Sequence, residues 1–424
     1  MQKSKRIIHF ISHALSLLLF AYPILLLSVR NGMSTCLVLL ALISIAYFLQ
    51  VDWSSTPPLR RADIFFCVSM ASLIVATIFS ELYHGDIELK TLDSASRFLL
   101  AAPIYLMLRT TRLTYPRALE FGFPLGALVG FLTSILLPPP PVQLIGTYFL
   151  DAPMFGGAML TLGFLSLSTI RWTHRDNRPL LALKIFGFVL GLYCAIRSGE
   201  RGIWIAIPVL AVIWMVYFVP PKKWRLFTAA TAIALAIAAY WLIPNVQTRI
   251  AATQWEIGQI AKGNFNTSAG QRLQIWNAAI QIISRNPIAG IGPVESSGAI
   301  RKLGAEGWFT AGALKSALAQ THNEILAHAM KLGVFGLIAI LSIYFVPIAI
   351  FARNLRAADR IKRRAGVMGM LFATAYFIFG LSVETFNLKM LASYYAVTIS
   401  ALLAITLHVD VTLCRNARPN SRQE

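Results

Sequence analysis

The chain has 424 residues, of which 57% are hydrophobic and 13% are charged. This composition is too apolar for an ordinary soluble domain and indicates an all-α integral membrane protein. The net charge is +20, but no basic soluble segment is available to grip a nucleic acid, so basic loops on one membrane face explain the excess better.

Apolar segments of about twenty residues recur along nearly the whole chain, and each could cross a hydrocarbon core about 30 Å thick as a helix. We predict twelve membrane spans, of which the fourth is short. They lie near residues 7–29, 33–50, 62–80, 95–108, 118–137, 154–170, 180–197, 202–219, 226–243, 325–351, 366–382 and 390–409. The apolar part of the first span is too long for a signal-peptide core, so we expect a retained anchor.

Basic residues predict how these spans are oriented. Twelve spans place both termini on one side, and the loops of that side contain Arg60-Arg61, Lys222-Lys223 and the basic cluster 353–364. The positive-inside bias assigns this side to the cytoplasm. The opposite loops carry most of the acidic residues and are therefore predicted to lie outside.

One outer loop, residues 244–324 between the ninth and tenth spans, is much longer than the others, and loops of that size are usually functional. Its stretch SAGQRLQIWNAAIQIISRNP predicts an amphipathic helix, because Ser268 and Gln271 have capping-box spacing. The predicted apolar stripe is Leu273, Trp276, Ile280 and Ile283. Gly290 and Gly292 predict a tight turn after this helix, and a second short helix is predicted over residues 312–319.

A very short connection, in AIRSGERGIW, joins the predicted seventh and eighth spans. Arg197 and Arg201 flank the turn, so both guanidinium groups should lie at the outer membrane surface, against the positive-inside bias. Paired guanidinium groups suit phosphate oxygens because each offers a planar fork of donors. Snorkelling to lipid head groups, or an ion pair with Glu200, is the alternative. Arg272, at the start of the predicted loop helix, is a third candidate for the same ligand.

The segment QTHNEILAHAMKLGVFG, residues 320–336, joins the long loop to the tenth span. Thr321 and Glu324 have capping-box spacing, which predicts a helix start with His322 in its first turn. The positive helix end would lower the pKa of His322 and Glu324 would raise it, so the sequence leaves the protonation state open. Free N–H groups at this end would suit an anion such as phosphate. We favour a functional role for His322 and Asn323 over simple capping.

Two other groups of outer residues are weaker candidates. His84, Asp86 and Glu88 could in principle bind a divalent metal, but an acidic outer loop explains them equally well, so no metal is predicted. Asp151 is a candidate for contact with a sugar.

Three stretches together carry a family resemblance. SGERGIWIAI resembles a Ser-x-x-Arg-Gly start of a span, and GQRLQIWNAAIQIISRNPIAGIGP resembles a loop with Gly-x-Arg, Trp and Asn-Pro-x-x-Gly-x-Gly. HNEILAHAMKLGVFG resembles a His-Asn pair followed, after nine residues, by Gly-x-x-Gly. In order and spacing this set is similar to the O-antigen ligase family and its polymerase relatives, over residues 190–340 in motifs and over the whole chain in topology.

The resemblance implies a GT-C-like membrane glycosyltransferase that needs neither metal nor ATP. Arg201 and Arg272 match the family's essential arginines, which hold the pyrophosphate of a polyprenyl-linked glycan. His322 matches its essential histidine, thought to act as base on the acceptor hydroxyl, and Arg197 is added because it lies near Arg201. The expected supporting residues are Asn323, Glu324 and Trp276.

The resemblance also implies substrates and a location. The donor would be O-antigen on undecaprenyl diphosphate, and the acceptor a sugar hydroxyl of lipid A-core, with inversion at the anomeric carbon. The reaction would belong to lipopolysaccharide biosynthesis at the periplasmic face of the bacterial inner membrane, with both termini cytoplasmic. Because this donor is already activated, the enzyme need only stabilise the leaving phosphate and accept one proton.

Three other functions remain open. An O-antigen polymerase or a protein O-oligosaccharyltransferase would use the same donor, although one dominant outer loop and a modest length favour the ligase. A lipid-linked glycan flippase or transporter is more remote, because ion-coupled transport usually places acids deep in spans, and the predicted spans are almost free of Asp and Glu there.

Overall fold

The computed structural model describes residues 2–51, 56–85, 87–111, 115–140, 145–219, 222–242 and 244–408. Within these residues the regular structure is helical, apart from one isolated bridge between Thr147 and Leu150. The helices are α1 (Gln2–Ser28), α2 (Gly32–Phe48), α3 (Arg61–His84), α4 (Leu92–Leu99), α5 (Ala101–Thr110), α6 (Pro116–Leu136), α7 (Ala152–Ser168), α8 (Arg178–Arg197), α9 (Arg201–Phe218), α10 (Lys222–Leu242), α11 (Pro244–Ala261), α12 (Ser268–Arg285), α13 (Ser296–Ala305), α14 (Ala311–Ala319), α15 (Glu324–Arg353), α16 (Arg360–Gly380) and α17 (Lys389–Thr406).

Every predicted span coincides with a helix, but the fourth, near residues 95–108, is divided between the short helices α4 and α5. Among the described residues, seven helices are long and apolar enough to cross a membrane: α1 from Ile11 onward, α3, α6, α8, α9, α15 and α17. Helices α2 and α7 are shorter apolar helices. The all-α membrane fold is therefore confirmed, and the total of twelve spans stays a prediction.

The connections between helices gather at two ends of the bundle. At one end, Arg360 donates to the carbonyl of Arg171, and Trp172 Nε1 donates to the carbonyl of Ile361 at 3.1 Å. We call this the basic end, and it contains the connections near residues 57–60, 111 and 115, 169–177 and 354–359. These are the connections that the sequence assigns to the cytoplasm.

The other end holds the long connection between α10 and α15. There Lys389 Nζ lies 3.2 Å from Asp93 Oδ2, and the Ser94 hydroxyl donates to the carbonyl of Phe386. We call it the loop end, and it contains the connections near residues 87–91, 145–151, 198–200, 244–323 and 381–388. All the candidate site residues lie at this end.

Helix α17 is the centre of the bundle, since 94% of its span is buried inside the protein. Its Tyr395 ring lies 5.2 Å from that of Tyr376 on α16 and 5.1 Å from that of Phe386, measured between centroids. Aromatic pairs of this kind add about 0.5–1.5 kcal/mol each beyond area burial. The aromatic cluster thereby fixes the short 3-10 turn Thr385–Asn387, which lies against the start of α15.

Helix α15 is interrupted at Gly333, where φ is 63° and ψ is −149°. Thirty helical residues would extend about 45 Å, which exceeds a hydrocarbon core of about 30 Å. The part after the break, residues 334–353, is about 30 Å long. The break therefore separates a membrane-length helix from a shorter helix at the loop end.

The turn that follows α12 fills this break, and it is the tight turn predicted from Gly290 and Gly292, whose φ angles are 67° and 81°. Backbone groups freed by the break bond to the turn. The bonds are Ile291 N–H to Met330 O (3.1 Å), Gly292 N–H to Lys331 O (3.0 Å) and Val334 N–H to Pro287 O (2.8 Å). A Cβ on Gly333 would collide with the carbonyl oxygen of Ile288. The motif that begins at His322 and the motif that ends in the turn after α12 can therefore pack together only with glycine at position 333.

Candidate active site

Four helices, α11 to α14, make up most of the chain between α10 and α15. The predicted amphipathic helix is α12, but its N-cap is Thr267 rather than Ser268, and the Thr267 hydroxyl accepts from the Gly270 N–H at 3.0 Å. The predicted short helix is α14, which begins one residue earlier than expected. Helices α11 and α13 were not predicted.

The predicted apolar stripe of α12 is wrong. Leu273 and Ile280 are 43% and 54% exposed, while Trp276 and Ile283 are partly buried. The buried row is Ile275, Ala278, Ala279 and Ile282. Apolar residues occupy two overlapping rows of this helix, and packing against α13 and α14 selects the row that contains the small alanines.

The predicted tight turn between α8 and α9 is confirmed, because α8 ends at Arg197 and α9 begins at Arg201. Gly199 lies in the turn with a φ of 69°, which glycine adopts without strain. Arg201 binds Glu256 of α11 through both terminal nitrogens, with Nη1–Oε2 at 2.8 Å and Nη2–Oε1 at 2.7 Å. A fork that binds a carboxylate in this planar way also fits a phosphate.

Arg272 of α12 lies beside the same turn, and its Nη2 is 3.5 Å from Oε2 of Glu200. Glu256 Oε2 also accepts from the Ala269 N–H at 3.2 Å, which ties α11 to the start of α12. The bond from Arg201 holds the pKa of Glu256 below its usual value despite its burial. Arg201, Arg272, Glu200 and Glu256 therefore form one group of charges, which we call the arginine network.

His322 lies between α14 and α15, one residue before the N-cap of α15. Its Nε2 is 2.9 Å from the Ser316 hydroxyl of α14, and its Nδ1 is buried without a hydrogen-bond partner among the described residues. The residue has a φ of 56°, a left-handed conformation that is uncommon outside glycine, although histidine adopts it more often than most residues do. One ring nitrogen is thus held by the protein, and the other is left for a further partner.

The predicted capping box of Thr321 and Glu324 is wrong, and so is the position of His322 in the first turn. The N-cap of α15 is Asn323, whose Oδ1 accepts from the N–H groups of Ile325 at 3.0 Å and Leu326 at 3.1 Å. Those two N–H groups are therefore not open to an anion. The cap belongs one residue after His322 because Asn prefers the N-cap more strongly than Thr.

Thr321 and Glu324 bind to the connection between α16 and α17 instead. The Thr321 N–H donates to Glu384 Oε1, and Glu324 Oε2 accepts from the Phe386 N–H at 2.9 Å. Both glutamate side chains are almost completely buried. Lys331 Nζ lies 3.4 Å from the second oxygen of Glu384, so a carboxylate and an ammonium group are paired next to Thr321.

The environment answers the question of protonation that the sequence leaves open. Burial, and then the positive charge of Arg272, lower the pKa of His322 to about 4, against an opposing effect of Glu384. The imidazole is therefore neutral at physiological pH and can accept a proton. Arg272 and His322 come from distant parts of the chain, yet they are close enough to influence each other electrostatically.

The remaining predicted site residues have different surroundings. Arg197 is half-buried at the end of α8, and no carboxylate of the described chain lies within 4 Å of its guanidinium. Trp276 packs against the buried row of α12, and its Nε1 is buried without a hydrogen-bond partner there.

The weaker candidates have structural contacts. His84 Nε2 lies 3.1 Å from the carbonyl oxygen of Gly290, and Asp151 caps α7 by accepting from the Met154 N–H at 3.4 Å. Asp86 lies outside the described residues. Across the part of the chain that is described, no three His, Cys, Asp or Glu side chains are grouped so as to hold a metal ion.

Three neighbours of the predicted residues were missed: Glu256, Ser316 and Glu384. Glu384 is an acid at the end of an apolar segment, which is itself a signal of function. Glu256 and Ser316 gave no such signal, because only the packing of α11 and α14 brings them to the site.

The fold and this site define a polytopic helical membrane protein with a charged site at one end of its bundle. Residues 186–341, a range that contains all three motifs, match the family model described as O-antigen ligase. The resemblance drawn from the motifs is confirmed. The family supports a membrane glycosyltransferase-like ligase activity, with lipid-linked polysaccharide and a lipid acceptor as substrates in general.

Two relatives are similar to this chain at low identity. An uncharacterized protein of Haemophilus influenzae is 23% identical over 389 residues, covering 87% of this chain and 92% of the relative. An O-antigen ligase of Escherichia coli is 24% identical over 216 residues, covering 50% of each chain. The match to the named ligase therefore spans only half of that protein.

Proposed function

We propose that this protein is an O-antigen ligase of GT-C type in the bacterial inner membrane. It would transfer O-antigen polysaccharide from undecaprenyl diphosphate to a sugar hydroxyl of lipid A-core, with inversion, at the periplasmic face. Arg201 and Arg272 would bind the diphosphate, with Arg197 beside them, and His322 would accept the proton of the attacking hydroxyl. Asn323, Glu324 and Trp276 would support this arrangement, and no metal would take part.

The observation that carries the proposal is the electrostatic interaction of His322 with Arg272, a member of the arginine network. A glycosyl transfer from a diphosphate creates negative charge on the leaving phosphate and releases one proton from the acceptor. Guanidinium groups can stabilise the negative charge on the leaving phosphate, and a neutral imidazole can accept the proton. Arg201 on α9, Arg272 on α12 and His322 just before α15 come from three distant parts of the chain. The fold brings them to one place, which supports a functional site rather than a chance cluster.

A reconstitution assay tests the proposal. The purified protein is placed in liposomes with undecaprenyl diphosphate-linked O-antigen, either with lipid A-core or with the donor alone, in the presence of a chelator. We expect glycan on lipid A-core only, and none with His322→Ala, while His174→Ala, which changes an exposed histidine at the basic end, stays active. Elongated donor without ligation would identify a polymerase, and no consumption of donor would reject the whole proposal.

A further inference from the structure

The charges of the arginine network suggest that the donor needs one more cation. Arg201 is paired with Glu256 and Arg272 with Glu200, so two guanidinium groups are already matched by two carboxylates. A diphosphate adds further negative charge to this group. Besides Arg197, an additional guanidinium that no carboxylate occupies would therefore be useful at the same place.

Helix α11 supplies such a group. The guanidinium of Arg249 lies on the backbone of Gly199, with Nε 2.9 Å and Nη2 3.0 Å from the point that a Cβ of residue 199 would occupy. Any side chain at position 199 would displace it. Within the described residues, no carboxylate lies within 4 Å of the Arg249 guanidinium, so its donors are not used by an ion pair.

The register of α11 explains why Arg249 reaches the turn. Arg249 and Glu256 are seven residues apart, about two helical turns, and so lie on the same face. Glu256 is buried against Arg201, whereas its neighbours Trp255 and Ile257 are 59% and 62% exposed. The face that holds Glu256 on Arg201 therefore also holds Arg249 on Gly199, two residues away from Arg201 in the same turn.

We propose that Arg249 is a further binding residue for the diphosphate of the donor, and this rests on the proposed function. Its fork would bind phosphate oxygens beside those held by Arg201 and Arg272. Glycine at position 199 would then serve two purposes, since it permits the positive φ of the turn and leaves the space that the guanidinium occupies.

Binding measurements on full-length protein in nanodiscs test this. The probes are undecaprenyl diphosphate and undecaprenyl monophosphate, each without glycan, and the variants are Arg249→Ala, Arg249→Lys and the control Arg301→Ala, which removes an exposed arginine of α13. We expect Arg249→Ala to weaken diphosphate binding at least about tenfold and monophosphate binding less. Arg249→Lys should recover part of the loss, and Arg301→Ala should bind like the wild type.

Kinetics separate a role in binding from a structural one. Arg249→Ala should raise the KM for the donor and leave kcat nearly unchanged, because the lost contact exists before and during the reaction. Equal losses for both probes, or a loss that appears only in kcat, would overturn the inference. So would wild-type affinity in Arg249→Ala. Failure of the wild-type protein itself to bind the diphosphate would instead refute the proposed function, and Arg249→Met keeps the test valid if alanine unfolds α11.

Discussion

At the scale of single residues, the proton-accepting state of His322 is decided by its surroundings. Burial and Arg272 lower its pKa to about 4, so the imidazole is neutral, and able to accept a proton, at every pH above that value. If it is the base, kcat/KM should stay nearly constant from pH 8 to about 5 and fall only as the pH approaches 4, because kcat/KM reports the free enzyme.

The measurement is the transfer rate at low donor concentration between pH 4.5 and 8, with activity restored at pH 7 as the control for unfolding. An ordinary imidazole would lose half of its activity near pH 6.5. A decline centred there would show that His322 is not buried beside Arg272 in the working enzyme, or that another group limits the reaction.

The same residue shows how far sequence reasoning reaches. The chemical types at Arg201, Arg272 and His322 were visible in the motifs, and the structure brings all three to the loop end. Their partners were not visible, because Glu256 and Ser316 belong to helices whose packing no local pattern specifies. The capping prediction failed for a related reason, because the Thr321 N–H donates to Glu384, which lies 63 residues further along the chain. This bond to a buried carboxylate is more favourable than a capping bond within the helix start.

At the scale of elements, the joint between α15 and the turn after α12 depends on glycine. Gly333 has a φ and ψ combination that is essentially restricted to glycine, and a Cβ would meet the carbonyl of Ile288. Gly333→Ala should therefore destabilise the protein by at least about 1–3 kcal/mol, lowering the temperature of unfolding and weakening transfer, since α15 begins beside His322.

Thermal unfolding of the detergent-solubilised protein measures this effect. Gly258→Ala is the matched control, because Gly258 lies within α11 with no atom from outside its own stretch of helix within 4 Å of its Cβ position, and alanine is the better helix former. Equal stability of the two variants would mean that α15 is continuous in the membrane. Sequence reasoning found the glycines and the turn but not the break, since the predicted span 325–351 is mostly apolar and looks uninterrupted in composition.

At the scale of the whole molecule, the two ends of the bundle differ in how their cationic side chains are paired with carboxylates. At the basic end, one buried cationic side chain is neutralised within the protein: the fully buried Lys184 lies 2.6 Å from both Glu120 and Asp176. At the loop end, arginines are paired with carboxylates that an incoming anion could replace. Composition alone predicted an excess of basic residues on one side, but only the fold distinguishes saturated charges from those available to a ligand.

This asymmetry leads to a prediction about orientation. Basic connections favour the cytoplasm, so the loop end should face the periplasm, where the glycan of the donor would extend. In a variant whose four cysteines are replaced, a single cysteine at Lys302 should react with a membrane-impermeant maleimide in intact spheroplasts. A cysteine at Arg178 of the basic end should react only after lysis; both positions are exposed, so accessibility in the folded protein is not limiting. The reverse labelling pattern would place the arginine network in the cytoplasm, where a periplasmic ligation could not occur. Equal labelling at both sites before lysis would show that the spheroplasts leak, and labelling of a cytoplasmic marker protein detects such leakage.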